Sequence, residues 1–139
     1  MAELDFMSED WLNALSDRLK TSEAYKKAAK GWRSSMALAT LAEPEKNIEG
    51  RAVVLDLHEG ELRNAQLVTG PGPYEADYVI RGVADNWQKL LSKEIFPVPA
   101  IMSQQLQLVK GNTMSLMTQM GAAQALLDEA GAVPTKFPA

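Results

Sequence analysis

Apolar positions near the start of the chain recur at helical spacing. Trp11, Leu12, Leu15 and Leu19 form one stripe, which predicts an amphipathic helix. Ser8 can cap it, and Glu9 and Asp10 suit the positive end of the helix dipole. Thr21 or Ser22 restarts a shorter helix that ends before Gly31, with Lys26, Lys27 and Lys30 toward its negative end. From Trp32 the period changes to two. Trp32 to Leu41 reads as a strand with Trp32, Met36 and Leu38 in phase, and the turn-rich EPEKNIEG follows. Arg51 to Leu57 alternates through Val53, Leu55 and Leu57. The run His58-Glu59-Gly60-Glu61 predicts a tight reversal into a strand over Leu62 to Val68. After the loop TGPGP, a fourth strand is expected over Tyr74 to Arg81, with Tyr74, Ala76, Tyr78 and Ile80 on one face.

Beyond Gly82 the helical period returns in ADNWQKLL, where Asp85 can cap and Trp87, Leu90 and Leu91 share a face. Phe96-Pro97-Val98-Pro99 turns the chain, and Ala100 to Gln104 predicts a short helix. Leu106 to Lys110 alternates as a fifth strand. Asn112 or Thr113 then caps a long helix reaching Ala130, stopped by Gly131 and Pro134. Four sequential strands with short turns predict an antiparallel meander. Helices gathered toward the two ends of the chain argue α+β rather than a doubly wound sheet.

With 139 residues, the chain is expected to form one domain over 1–139 that buries a real core. The apolar share of 46% and charged share of 23% are those of an ordinary globular protein. No run approaches the roughly 20 apolar residues that a membrane span needs. The acidic opening MAELDFMSEDW does not read as a secretory signal, so a cytoplasmic location is expected. The chain has no cysteine, which removes disulfides, thiolate nucleophiles and cysteine metal sites. A net charge of −4 is a poor footing for nucleic acid, whose binding depends on neutralising phosphates, so no nucleic-acid partner is expected.

Candidate chemistry is sparse. His58, the one histidine, falls at a hairpin tip, where a solvated turn residue outweighs a catalytic base without nucleophile or orienting partner. No ligand spacing supports a metal there. TGPGPY lacks the Gly-Lys-Ser/Thr end of a phosphate-binding loop. The step Lys110-Gly111-Asn112-Thr113 enters a helix N-terminus, where backbone N–H groups can hold an anion, although a side-chain cap is the commoner use. Lys26, Lys30 and Arg33 at helix-like spacing beside Tyr25 and Trp32 suggest either a solvated face or a transient contact with a membrane surface. Met114, Met117 and Met120 recur every three residues. They suit core packing or an adaptable apolar pocket.

The succession DYVIRG, ADNWQKLL, LQLVKGN and MSLMTQM, together with SEAYKKAAKGW before the first strand, resembles the sterol carrier protein 2 (sterol-binding domain) family, in particular its stand-alone prokaryotic members. The resemblance covers nearly the whole chain and is strongest from Ala76 to Gly121. The chain departs from the family at Gln104-Gln105, where Gly-Lys is frequent, at Asn112, where Asp follows the terminal Gly, and in placing Pro97 and Pro99 in the hinge. The resemblance implies a five-stranded, mostly antiparallel curved sheet covered by helices that enclose an apolar cavity for lipids. Gly82 would let the chain leave the sheet, and Trp87 would wall the cavity. The expected ligand contacts are Trp87, Leu90, Phe96, Ile101, Met102, Met114, Met117 and Met120. The expected function is binding, and transfer inside the cell, of a fatty acyl, sterol-like or isoprenoid lipid, without catalysis, cofactor or metal. The competing reading is an interaction or homodimerisation module of the same fold with a closed cavity.

Overall fold

A computed structural model describes residues 3–70, 72 and 74–137. Its main sheet has five strands: β2 (Arg33–Thr40), β3 (Arg51–His58), β4 (Glu61–Thr69), β5 (Tyr78–Gly82) and β6 (Gln107–Lys110). Their order across the sheet is β4-β3-β2-β5-β6. All neighbours are antiparallel except β2 and β5, which run parallel. The hairpin between β3 and β4 closes on Glu59 and Gly60, both at positive φ, the backbone that a two-residue turn requires.

The expected four-strand meander is corrected here. Three strands form it, and the fourth crosses to the far side of β2. A hairpin would have kept β5 beside β4. The connection from Gly70 to Asp77 instead spans three strand spacings of about 4.8 Å each. Its end is pinned by two bonds to β2: the Ser35 N–H donates to Asp77 Oδ2 at 3.0 Å, and the Asp77 N–H donates to Ser35 Oγ at 2.8 Å. Tyr74 and Ala76 therefore do not share a strand face with Tyr78 and Ile80. They pack with Ala37 and Val79 on the outer face, while Tyr78 and Ile80 join the main core.

Helix α1 (Glu9–Thr21) and helix α2 (Glu23–Ala28) begin at the expected caps. Ser8 Oγ accepts from the Trp11 N–H, and Ser22 Oγ from the Tyr25 N–H. Helix α3 (Ala84–Leu91) follows β5, but its N-cap is Val83 rather than Asp85. Asp85 lies within the first turn, where its carboxylate accepts from Lys46 Nζ at 3.3 Å instead of capping. Helix α4 (Pro97–Met102) starts three residues earlier than expected. Pro97 and Pro99 are tolerated in a first turn, where backbone donors have no helical partner.

The expected long C-terminal helix is two helices. Asn112 Oδ1 accepts from the N–H groups of Met114 and Ser115 and opens α5 (Thr113–Thr118). That cap occupies the donors that an anion would have used. The chain bends at Gln119 and continues as α6 (Met120–Ala132). Gly131 does not stop α6 but lies within it, and the helix ends ahead of Pro134. Strands β1 (Leu4–Asp5) and β7 (Thr135–Lys136) pair in parallel and tie the two ends of the chain together. The core lies between the inner face of the sheet and the helices, with Leu38, Val53 and Leu55 of the sheet meeting Leu15, Trp87 and Leu126.

Candidate functional site

An apolar void lies at the centre of the sheet–helix layer. Its floor is Met36 and Leu38 of β2 and Ile80 of β5, with Leu38 and Ile80 paired across the parallel ladder. Trp87 and Leu90 of α3 close one side, and Pro97 and Ile101 of α4 another. Leu116 of α5 and Met120, Ala123, Leu126 and Leu127 of α6 close the rest, with Leu106 at the foot of β6. Every residue around it is apolar. The one polar group of the wall, the Trp87 indole N–H, is turned away and donates to the Ala39 carbonyl at 2.8 Å. The void measures about 20 Å³. That is little more than the roughly 10–15 Å³ one water occupies, and an apolar space of this kind stays dry. Atoms facing open space lose dispersion contacts, so flexible walls such as Met36 and Met120 close on it.

The eight residues expected to contact a ligand divide into two sets. Trp87, Leu90, Ile101 and Met120 meet at the void. Phe96, Met102, Met114 and Met117 do not; their side chains are 52%, 77%, 69% and 46% exposed. The reason is helical phase. In α4 the inward positions are Pro97, Ala100 and Ile101, and Phe96 and Met102 flank that stripe. In α5 the inward position is Leu116. A spacing of three drifts around a helix of 3.6 residues per turn, and the bend at Gln119 resets the phase before Met120.

Missed by the sequence reading were the sheet residues of the floor and the α6 residues Ala123, Leu126 and Leu127. The alternation of Met36 and Leu38 was visible, but not that β5 would place Ile80 beside Leu38. A further signal was available: from Ile95 to Leu127 the only charged residue is Lys110.

Other candidates resolve differently. Tyr25 and Trp32 are buried, and Arg33 belongs to β2, so the aromatic-and-basic face envisaged for a membrane surface does not form. Burial pushes the Tyr25 phenol up to about 12 from an ordinary value of 10.0. Its hydroxyl has no hydrogen-bond partner among the described residues. The folded state thus favours the neutral phenol. The group adds no pH dependence below pH 10, where both states hold it neutral, and up to about 2–3 kcal/mol of stability is lost as the pH rises from 10 through 12. Tyr25→Phe is expected to stabilise the protein by about 1 kcal/mol at neutral pH, because it removes a buried unpaired group. It should also flatten the loss of stability between pH 10 and 12. Urea titrations of both proteins across that range check it, and a Phe variant less stable than the parent would count against it.

His58 sits at the end of β3 with Nδ1 3.9 Å from Glu59 Oε2, and Glu59 is itself paired with Arg33. Among the described residues no group of three or more His, Asp or Glu side chains could hold a metal ion. Among them, too, no helix is long and apolar enough to cross a membrane.

An open five-stranded sheet with one parallel pair, backed by helices over an apolar interior, defines an α+β protein with its core between one sheet face and the helices. The chain belongs to the SCP-2 sterol transfer family, which its sequence matches over residues 12–124. It is similar to a crystal structure of sterol carrier protein 2, with 39% identity over 93% of this chain and 99% of that one, at a TM-score of 0.86. It is similar also to the solution structure of a conserved hypothetical protein from Thermus thermophilus, described as possibly a sterol carrier protein. There the identity is 37% over 98% of this chain and 94% of that one, at a TM-score of 0.85. The apo form of sterol carrier protein 2 from Yarrowia lipolytica shares the fold at 16% identity, covering 91% of this chain and 98% of that one, with a TM-score of 0.56. A search of the curated proteins finds no match. The family and the first two of these structures support lipid or sterol binding or transfer in general.

Proposed function

We propose that this protein is a non-enzymatic carrier that holds an apolar lipid between the sheet and helices α3 to α6. The ligand class is a fatty acyl, sterol-like or isoprenoid molecule. The observation that carries the reading is the wholly apolar lining of the void, with the indole N–H of Trp87 already satisfied elsewhere. No group there could steer a polar substrate. The driving force is desolvation. Burying about 400 Å² of ligand surface at about 25 cal/mol per Å² is worth about 10 kcal/mol. Association entropy removes several kcal/mol, leaving roughly micromolar affinity.

A lipid needs more space than the void offers, so the site opens where its walls are weakest. Helices α4 and α5 are each six residues long and carry no charge. Moving them costs no ion pair. Rotation outward would bring the surplus apolar side chains Phe96, Met102, Met114 and Met117 onto the ligand, alongside Trp87, Leu90, Ile101 and Met120. A cytoplasmic setting suits a carrier without cysteine.

The small size of the void favours one other reading, an interaction or homodimerisation module in which the interior never opens. Organic extraction and native mass spectrometry of the purified protein separate the two, since a carrier brings lipid with it. A spectroscopic test follows from the geometry. Trp11 and Trp32 do not line the void. In a Trp11→Phe/Trp32→Phe background, titration with a long-chain lipid is expected to shift or quench Trp87 emission. If the lipid binds and Trp87 emission does not respond, the interior site is lost.

A further inference from the structure

The interior void is not the roomiest concavity of the molecule. A groove of about 830 Å³ lies on the opposite face of the sheet, beside the crossover between β4 and β5. That size is within the roughly 300–1,000 Å³ of small-molecule clefts. Its floor is Ala39 and Val79, whose neighbours Leu38 and Ile80 point to the core. Side chains alternate across a strand, so a strand that sends Leu38 inward sends Ala39 outward. Leu41, Ala42 and Gly50 form one end, and Tyr74 of the crossover stands on one side. Opposite it stand Val109, Arg81 and Lys110.

Val109 is a large apolar side chain left 53% exposed in this wall. It sits where the β5–β6 ladder slips, between the pairs Val79–Lys110 and Ile80–Leu108. Arg81 Nε donates to Gln107 Oε1 at 2.7 Å, which fixes the guanidinium and leaves its terminal nitrogens available. Among the described residues neither Arg81 nor Lys110 is ion-paired, and no acidic residue lines the groove. In a chain of net charge −4, two cations without acids along an apolar trough form a local exception.

We propose that this outer groove is a second binding site, for an amphipathic anion of the long-chain carboxylate type. The hydrocarbon lies over Ala39 and Val79 against Tyr74 and Val109. The carboxylate meets Arg81 and Lys110, where the fixed guanidinium can offer paired donors. The site is separate from the interior and does not depend on it, because the two lie on opposite faces of one sheet.

Amide chemical-shift mapping with decanoate below its micelle concentration, and with decan-1-ol as the neutral counterpart, tests it. Decanoate is expected to shift the amides of Ala39, Ala42, Val79 and Val109. The exposed double variant Arg81→Gln/Lys110→Gln should weaken that binding about fivefold to tenfold and leave decanol unchanged. Val109→Glu, at an exposed position, should abolish it through like-charge repulsion. Shifts confined to the Trp87, Leu116 and Met120 region, with equal affinity in the double variant, would overturn the outer site and leave the interior reading standing. Shifts in the groove that follow protein concentration rather than decanoate, with a dimer mass by light scattering, would show a second copy seated there and also overturn it. Absence of any decanoate binding would overturn the outer site alone, since the interior reading rests on the apolar lining of the void and is tested separately by organic extraction and native mass spectrometry.

Discussion

Trp87→Ala is expected to cost about 3–5 kcal/mol of stability, a typical value for deleting a large buried aromatic. The indole is 1% exposed and packs in the main core between α3 and the sheet. Its N–H is bonded to the Ala39 carbonyl, so the substitution also strips a buried acceptor of that donor. A domain of this size is stable by about 5–15 kcal/mol, so the variant should fold but with a much lower urea midpoint. Trp87→Phe separates packing from hydrogen bonding. The ring largely refills the space, and the expected loss is about 1–3 kcal/mol, dominated by the missing N–H. Because Trp87 also lines the void, Trp87→Phe is the better probe of lipid affinity, which should fall while the fold survives. A Trp87→Ala loss below about 1 kcal/mol would mean that α3 does not pack as described.

Gly131→Ala is expected to destabilise by about 1–2 kcal/mol, against the simple rule for helices. Alanine gains about 1 kcal/mol over glycine in a helix interior. At Gly131, however, a Cβ would stand 2.5 Å from the carbonyl oxygen of Leu91, the last residue of α3. Backbone cannot step aside as a side chain can, and overpacking of this kind costs about 1–3 kcal/mol. The clash outweighs the propensity. Gly121 supplies the control on the same helix. A Cβ there meets nothing within 4 Å, so Gly121→Ala should stabilise by about 0.5–1 kcal/mol. Thermal melts of the two single variants should move in opposite directions. If Gly131→Ala also stabilised, the close approach of α3 and α6 would be wrong.

Much of the local structure was legible because its causes are local. The hydroxyls of Ser8 and Ser22 and the amide of Asn112 cap the helices they precede, and the alternation of Val53, Leu55 and Leu57 marked a strand with one face in the core. The Glu59-Gly60 turn announced itself by residue type. Asp85 was misread because a carboxylate in a first turn can serve a distant cation as well as its own helix. Gly131 was misread because its reason for being glycine is Leu91, a neighbour in space that lies far off along the chain. β1 and β7 escaped notice, being two residues each and joined only by the folding of both chain ends onto one site.

The sequence by itself determined that the protein has an α+β fold with helices toward both ends of the chain. It pointed to the sterol carrier family through the order of its strand, tryptophan helix and apolar helix. It also held the interior walls in Trp87, Leu90, Ile101 and Met120. The tertiary structure decided what periodicity could not express. The crossover after Gly70 set β5 parallel to β2 and laid Ile80 beside Leu38 as the floor of the void. The break at Gln119 set the phase that turns Leu116 and the half-buried Met120 inward while leaving Met114 and Met117 outside. These outcomes depend on which faces meet, and spacing along a chain records only which residues share a face.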